Sequence, residues 1–147
     1  MPSWVKDGYD EYAKRLPKDF VPKLIELPLG NRSKNSNVAN AKKSEGESML
    51  VALDQLPRGT HVVALEVQGR AISTEGLAKR IENLQAEAKG LCLLVGGPDG
   101  LSEPCVQRAS EKWSLSALTL PHPLVRVLII EQLYRAWTIL QRHPYHK

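Results

Sequence analysis

Leu91-Cys92-Leu93-Leu94-Val95-Gly96-Gly97-Pro98-Asp99-Gly100 is the stretch on which the fold turns. Its continuous apolar run reads as a strand covered on both faces, the kind that a parallel sheet buries. The glycines that follow permit positive φ and a close approach of backbone to a ligand. In open α/β sheets ligands bind beyond the carboxyl ends of the strands, which is where this turn falls. A tight strand-to-helix turn would use the same glycines without any ligand. The run is not G-x-G-x-x-G, and no Gly-Lys-Ser/Thr occurs in the chain, so nicotinamide cofactors and nucleoside triphosphates find little support.

Toward the amino end, Thr74 opens a helix to Lys89, with Leu77, Ile81, Leu84 and Ala88 at helical spacing and Gly90 as its stop. Before it come a valine-rich strand at 61–67, a Pro57-Arg58-Gly59 turn and a helix at 42–53. Residues 30–40 are rich in Asn, Ser, Lys and Arg and read as a loop whose length points to either function or mobility. Residues 21–28 read as a short strand, and Ser3 caps a first helix that reaches Leu16 and stops at Pro17. Toward the carboxyl end, Ser102 caps a helix to about Lys112, and 114–120 is the last strand. Pro121-His122-Pro123 breaks that strand, and 124–142 is the longest helix. Strands separated by helices imply an α/β fold with a mostly parallel sheet and helices on both faces.

Length and composition fit one domain over 1–147. Apolar residues at 42% and charged residues at 24% exclude collagen-like, disordered and disulfide-scaffold classes. The apolar runs, such as 91–95 and 127–130, are far too short to span a membrane. The amino end has no basic region followed by an apolar core, so a cytoplasmic site is expected. Cys92 and Cys105 have no metal or redox spacing and read as packed thiols, and no metal site is expected.

The formal charge of +4 is uneven, with four basic residues against one acidic residue in 121–147. His122, His143 and His146 lie in the same segment. A basic end favours a polyanion such as RNA, or is simply a solvated face. His122, bracketed by two prolines, is either a positioned donor or base on a fixed loop or a histidine packed beneath one. Glu131 and Arg135 stand at i, i+4. They form a surface pair, or Arg135 meets phosphate or a partner subunit. The long helix is apolar almost all round, so a second copy of the chain is expected to cover part of it. In the tail, Tyr145 among His143, His146 and Lys147 suits stacking on a base, or else the terminus is simply exposed. Two histidines without a third ligand make a poor metal site. Neither G-x-S-x-G nor H-E-x-x-H occurs, which leaves hydrolase and zinc-protease readings without support.

Four segments carry a resemblance in order: Leu94–Ser102, Trp113–Val127, Glu131-Gln132-Leu133-Tyr134-Arg135-Ala136-Trp137 and His143-Pro144-Tyr145-His146. With Pro2-Ser3-Trp4-Val5, Tyr12 and Glu45-Gly46-Glu47, they resemble the RlmH family, the SPOUT-class ribosomal RNA large subunit methyltransferases H. The resemblance implies a SPOUT domain with a carboxyl-terminal trefoil knot, working as a homodimer. It implies S-adenosyl-L-methionine as cofactor and a pseudouridine of 23S rRNA as substrate, methylated at N3 within the assembled ribosome. The cofactor would lie against Leu65 at the end of its strand, Gly96, and Leu115, Ser116, Ala117, Leu118, Thr119 and Leu120. His122, Glu131, Arg135, Tyr145 and His146 would face the RNA or shape the reaction centre. Relatives usually carry a strand and a glycine turn before the Pro-x-Trp-Val segment, and this chain is expected to lack that first strand. They also commonly end His-Arg-Glu, where this chain has His146-Lys147. A dimeric RNA-binding module without turnover is the alternative, and cofactor binding would separate the two.

Overall fold

The computed structural model describes residues 2–32 and 37–145. In chain order the elements are α1 (Ser3–Ala13), α2 (Val38–Asp54), β1 (His61–Ala71), α3 (Thr74–Ala86), β2 (Leu91–Leu94), α4 (Glu103–Arg108), β3 (Glu111–Ser114) and α5 (His122–Leu140). They fall into two compact units, the first made of residues 1–24, 72–88 and 119–147 and the second of 25–71 and 89–118.

The second unit holds a three-stranded sheet in the order β2-β1-β3, with both pairings parallel. The fold is α/β, as the alternating pattern predicts. β1 is central, and Val62, Val63 and Ala64 are buried as a continuous run, as a strand covered on both faces requires. Its core is built by Leu53, Val62, Ala64, Leu94, Leu101, Cys105 and Val106, with Met49, Leu50 and Cys92 packed against it. Cys105 is buried, and Cys92 is half-buried with its thiol pushed up by desolvation. Both are packed thiols. The register of β1 on β3 slips, because Leu65 and Arg70 both stand opposite Trp113. Leu65 therefore lies inside a longer strand, at the break in its ladder, and not at the strand's end as the sequence suggests.

The first unit is helical. α5 packs on both α1 and α3, around Leu16, Ile130 and Tyr134, with Tyr9, Tyr12, Phe20, Trp137 and Tyr145 closing the cluster.

Several sequence expectations shift. No strand forms at 21–28, where Pro22 and Pro28 offer no N–H to a ladder. β3 covers Glu111–Ser114, and 115–120 runs irregularly. α1 takes Pro2 as its N-cap, places Ser3 inside the helix, and ends at Ala13. α2 starts within the expected loop, because the Asn37 side chain caps it by accepting from the Asn40 N–H at 2.7 Å. α3 and α4 stop earlier than their patterns suggest, at Ala86 and Arg108.

α5 begins at His122, so this histidine occupies the first helical position and not a loop. Pro123 is compatible with that start because its missing N–H would have had no partner in the first turn. The helix ends at Leu140, before Arg142. There Arg142 adopts φ +56° and donates its N–H to Ile139 O, while the His143 N–H reaches Thr138 O at 2.7 Å. This is a Schellman stop, and it turns the tail back along the helix.

Candidate functional site

In the first unit, α5 presents Glu131 and Arg135 one turn apart. Arg135 donates from Nε to Glu131 Oε1 at 2.8 Å, and its Nη2 forms an ion pair with the same oxygen at 2.6 Å. The returning tail places Tyr145 over this pair, with its hydroxyl 3.4 Å from the same oxygen and its ring 5.0 Å from the guanidinium. The Tyr145 ring also meets Tyr134 edge-on at 4.7 Å. The tail is thus docked through Tyr145 rather than hanging free. His146 lies outside the described residues, so its expected role has no placement.

The other oxygen of Glu131 accepts from Gln132 Nε2 at 3.0 Å, and Gln132 Oε1 accepts from Thr74 Oγ1 at 2.8 Å. A hydrogen-bonded chain therefore runs from the first turn of α3 through Gln132 to Glu131 and Arg135. Gln132 stood in the motif without being singled out, and nothing local to Thr74 marks it.

The electrostatics assign protonation states. The hydrogen bond to Glu131 raises the Arg135 guanidinium above its ordinary value, so it stays cationic. Burial, and then the Glu131 charge, raise the Tyr145 phenol, so at neutral pH it is a donor. His122 lies nine positions before Glu131 on the same helix, roughly 13 Å along its axis. Within one copy of this unit it is apart from the Glu131–Arg135–Tyr145 cluster.

In the second unit, the turn after β2 is closed by a Gly97–Gly100 bridge, with the Gly100 N–H donating to Gly97 O at 3.0 Å. Gly100 has φ +85°, a conformation that glycine takes without a Cβ penalty. Beside it, a shallow open depression is lined by Lys42, Glu45, Met49, Gly96, Leu101 and Cys105, among others.

After β3, Ser114 Oγ donates to Ser116 O at 2.9 Å, and Ser116 Oγ accepts from the Leu118 N–H at 3.0 Å. These bonds fix Leu115–Leu118 without a strand ladder. They leave Leu118 71% exposed, an apolar side chain available to a ligand. Leu65, Gly96, Leu115, Ser116, Ala117 and Leu118 belong to this unit, while Thr119 and Leu120 follow in the first.

Sequence reasoning missed Arg32. It bonds Glu45 on α2 and Asp99 in the glycine turn, and those two bonds raise its guanidinium above its ordinary value. No local pattern announces a residue whose partners lie so far away in sequence. Among the described residues no group of three His, Cys, Asp or Glu could hold a metal ion, and no helix is long and apolar enough to cross a membrane.

Residues 1–146 match the family model described as "Predicted SPOUT methyltransferase". The chain is 57% identical to the ribosomal RNA large subunit methyltransferase H of Teredinibacter turnerae, over all of this chain and 93% of that protein. It is 58% identical to the protein of the same name from Saccharophagus degradans, again over all of this chain and 93% of the relative. The protein of that name from Hahella chejuensis is 56% identical, with all of this chain and 92% of the relative covered.

Proposed function

The chain belongs to the SPOUT methyltransferase family, and from that premise we propose that it methylates N3 of a pseudouridine in 23S rRNA, with S-adenosyl-L-methionine as donor. In this reading residues 1–147 act as one SPOUT domain with a carboxyl-terminal trefoil knot. Two copies form the working dimer in the cytoplasm, and the assembled ribosome is the substrate. The observation that carries the reading is similarity along the whole chain to proteins named ribosomal RNA large subunit methyltransferase H.

The residues fit such a donor. Leu65, Gly96 and Leu115–Leu120 would hold it. Leu115, Leu118 and Leu120 supply apolar surface for an adenine, and the irregular backbone there has N–H and C=O groups outside any ladder. When bound, the donor supplies a methyl group on a sulfonium, ready for in-line displacement. The two serine bonds hold the segment in shape, which suits a reaction governed by positioning.

The nucleophile is an imide nitrogen that has to lose a proton. With a pKa about two units above neutral, that loss costs roughly 2.7 kcal/mol. Arg135 is the group that offsets this cost by hydrogen-bonding the developing anion. Glu131 occupies its Nε and Nη2 edge and fixes the plane, which leaves Nη1 to face the substrate. Tyr145, protonated, donates and does not act as a base. His122, apart from Arg135 within one copy, is the proton acceptor in this reading when the second copy of the dimer brings it to the reaction centre.

With only +4 per chain, a single copy holds RNA weakly and loses it as salt rises, so naked rRNA is a poor substrate. The test is transfer of labelled methyl to ribosomes lacking the modification, beside deproteinised 23S rRNA. Label entering ribosomes but not free rRNA supports the reading. Efficient labelling of a naked stem-loop contradicts the ribosome requirement, and donor binding without any transfer points to a binding module.

A further inference from the structure

Arg32 joins three pieces of the second unit that are remote in sequence. Its Nη1 and Nη2 donate to Glu45 Oε2 and Oε1 at 2.5 and 3.0 Å, a two-bond fork onto α2. Its Nε donates to Asp99 Oδ2 at 2.9 Å, inside the glycine turn. The Gly30 N–H donates to Glu45 Oε2 at 2.8 Å, so the extended segment before α2 holds the same carboxylate. The Arg32 and Glu45 side chains are only 22% and 13% exposed. An arginine fork in such surroundings fixes direction as well as distance.

Glu45 also packs directly against the turn. A Cβ added at Gly97 would stand 2.9 Å from Glu45 Oε1, so the carboxylate lies where a larger residue would push the turn away. Asp99 and Glu45 are therefore neighbours with one guanidinium between them. Without that cation the two carboxylates would repel, and the turn would lose its tie to α2.

We infer that Arg32 is a positioning residue for the methyl-donor site: by clamping Asp99 to Glu45 it sets the backbone of residues 96–100, and with it Gly96. The inference rests on the proposed donor site for its consequence, but the clamp itself does not depend on any donor. It gives a role to the start of the polar 30–40 segment, which composition alone left without one.

The experiment uses the full chain and two readouts. One is calorimetric binding of S-adenosylhomocysteine, the demethylated form of the donor. The other is hydrogen exchange at the Gly100 amide, whose bond to Gly97 O closes the turn. Arg32→Ala is expected to weaken binding about tenfold or more and to speed Gly100 exchange by a similar factor, the loss of charged hydrogen bonds being of that size. Arg32→Lys recovers only part, because an ammonium cannot make the fork. A lower melting temperature with unchanged binding and unchanged Gly100 exchange overturns the inference. Should Arg32→Ala fail to fold, Asp99→Ala cuts only the Nε bond and is read in the same two ways. A wild-type protein that binds no S-adenosylhomocysteine sinks the donor reading, and Gly100 exchange in the variants then decides alone whether Arg32 holds the turn.

Discussion

Arg135 grips Glu131 through a single carboxylate oxygen, with Nη2 at 2.6 Å and Nε at 2.8 Å from Oε1. The pairing fixes the guanidinium beside Glu131, with the Tyr145 ring 5.0 Å from its carbon. Arg135→Ala is expected to lower single-turnover methyl transfer by about 10²–10³-fold, the range for loss of one donor to a developing anion. Binding of S-adenosylhomocysteine should stay within a factor of about two, well below one tenfold step in affinity. An equal loss in both measurements would place Arg135 in donor binding instead.

Tyr145 is raised above the ordinary phenol value of 10.0 by burial and by Glu131. The folded state therefore favours the protonated phenol. That contribution to stability is complete below the unfolded value and is lost as pH rises through the folded one, on the alkaline side of 10. Around neutrality Tyr145 does not titrate. Tyr145→Phe is expected to leave the shape of the pH–rate profile between about pH 6 and 9 unchanged, even where the rate falls. Loss of a limb of that profile would contradict its role as a donor.

His122 stands at the first position of α5. If it accepts the imide proton, His122→Ala lowers the single-turnover rate by about 10²-fold or more near neutral pH. Raising the pH should narrow the gap, as the substrate ionises without help. Full single-turnover activity in the variant at neutral pH would remove the role.

Gly46 packs α2 against α4 more closely than any side chain would allow. A Cβ there would meet Ser102 Oγ at 2.2 Å and Ser102 Cβ at 2.8 Å. Gly46→Ala is expected to cost about 1–3 kcal/mol in denaturant unfolding. Ser102→Gly in the same chain should restore part of the loss by clearing both contacts. No recovery would mean that the strain lies elsewhere in α2.

Ala88, just past the Glu87 cap of α3, adopts the left-handed region with φ +56°, and it is exposed. A non-glycine residue there carries about 1 kcal/mol of strain. Ala88→Gly should raise the unfolding free energy by about 0.5–1 kcal/mol. A destabilised variant would mean that the flexibility gained in the unfolded chain outweighs the relief.

Much of the α/β order was legible because it is local. The 91–94 strand and its glycines, the periodic α3 and the long α5 each announce themselves over a few turns. The misreadings have specific causes. Residues 21–28 look strand-like by composition, yet prolines at 22 and 28 deprive them of ladder donors. Residues 115–120 look equally strand-like, but Ser114 and Ser116 bond the backbone and compete with a ladder. The register break at Leu65 depends on β3, and no pattern within β1 reveals it.

At the site, the i, i+4 spacing of Glu131 and Arg135 foretold their contact, whereas the tail, read as a base-stacking element or an exposed end, gave no sign that Tyr145 would pack on its own helix. Arg32 was invisible because its partners lie 13 and 67 residues away. Nothing in the neighbourhood of Arg32 distinguishes it from any arginine in a polar loop.

The account stands or falls on the product. Ribosomes lacking the modification are incubated with the protein and isotopically labelled S-adenosyl-L-methionine, and the nucleosides are then resolved by mass spectrometry. The account predicts label in a single nucleoside, pseudouridine methylated at N3, with the signal abolished or sharply reduced in Arg135→Ala. Label on another base, or undiminished label in that variant, would contradict it.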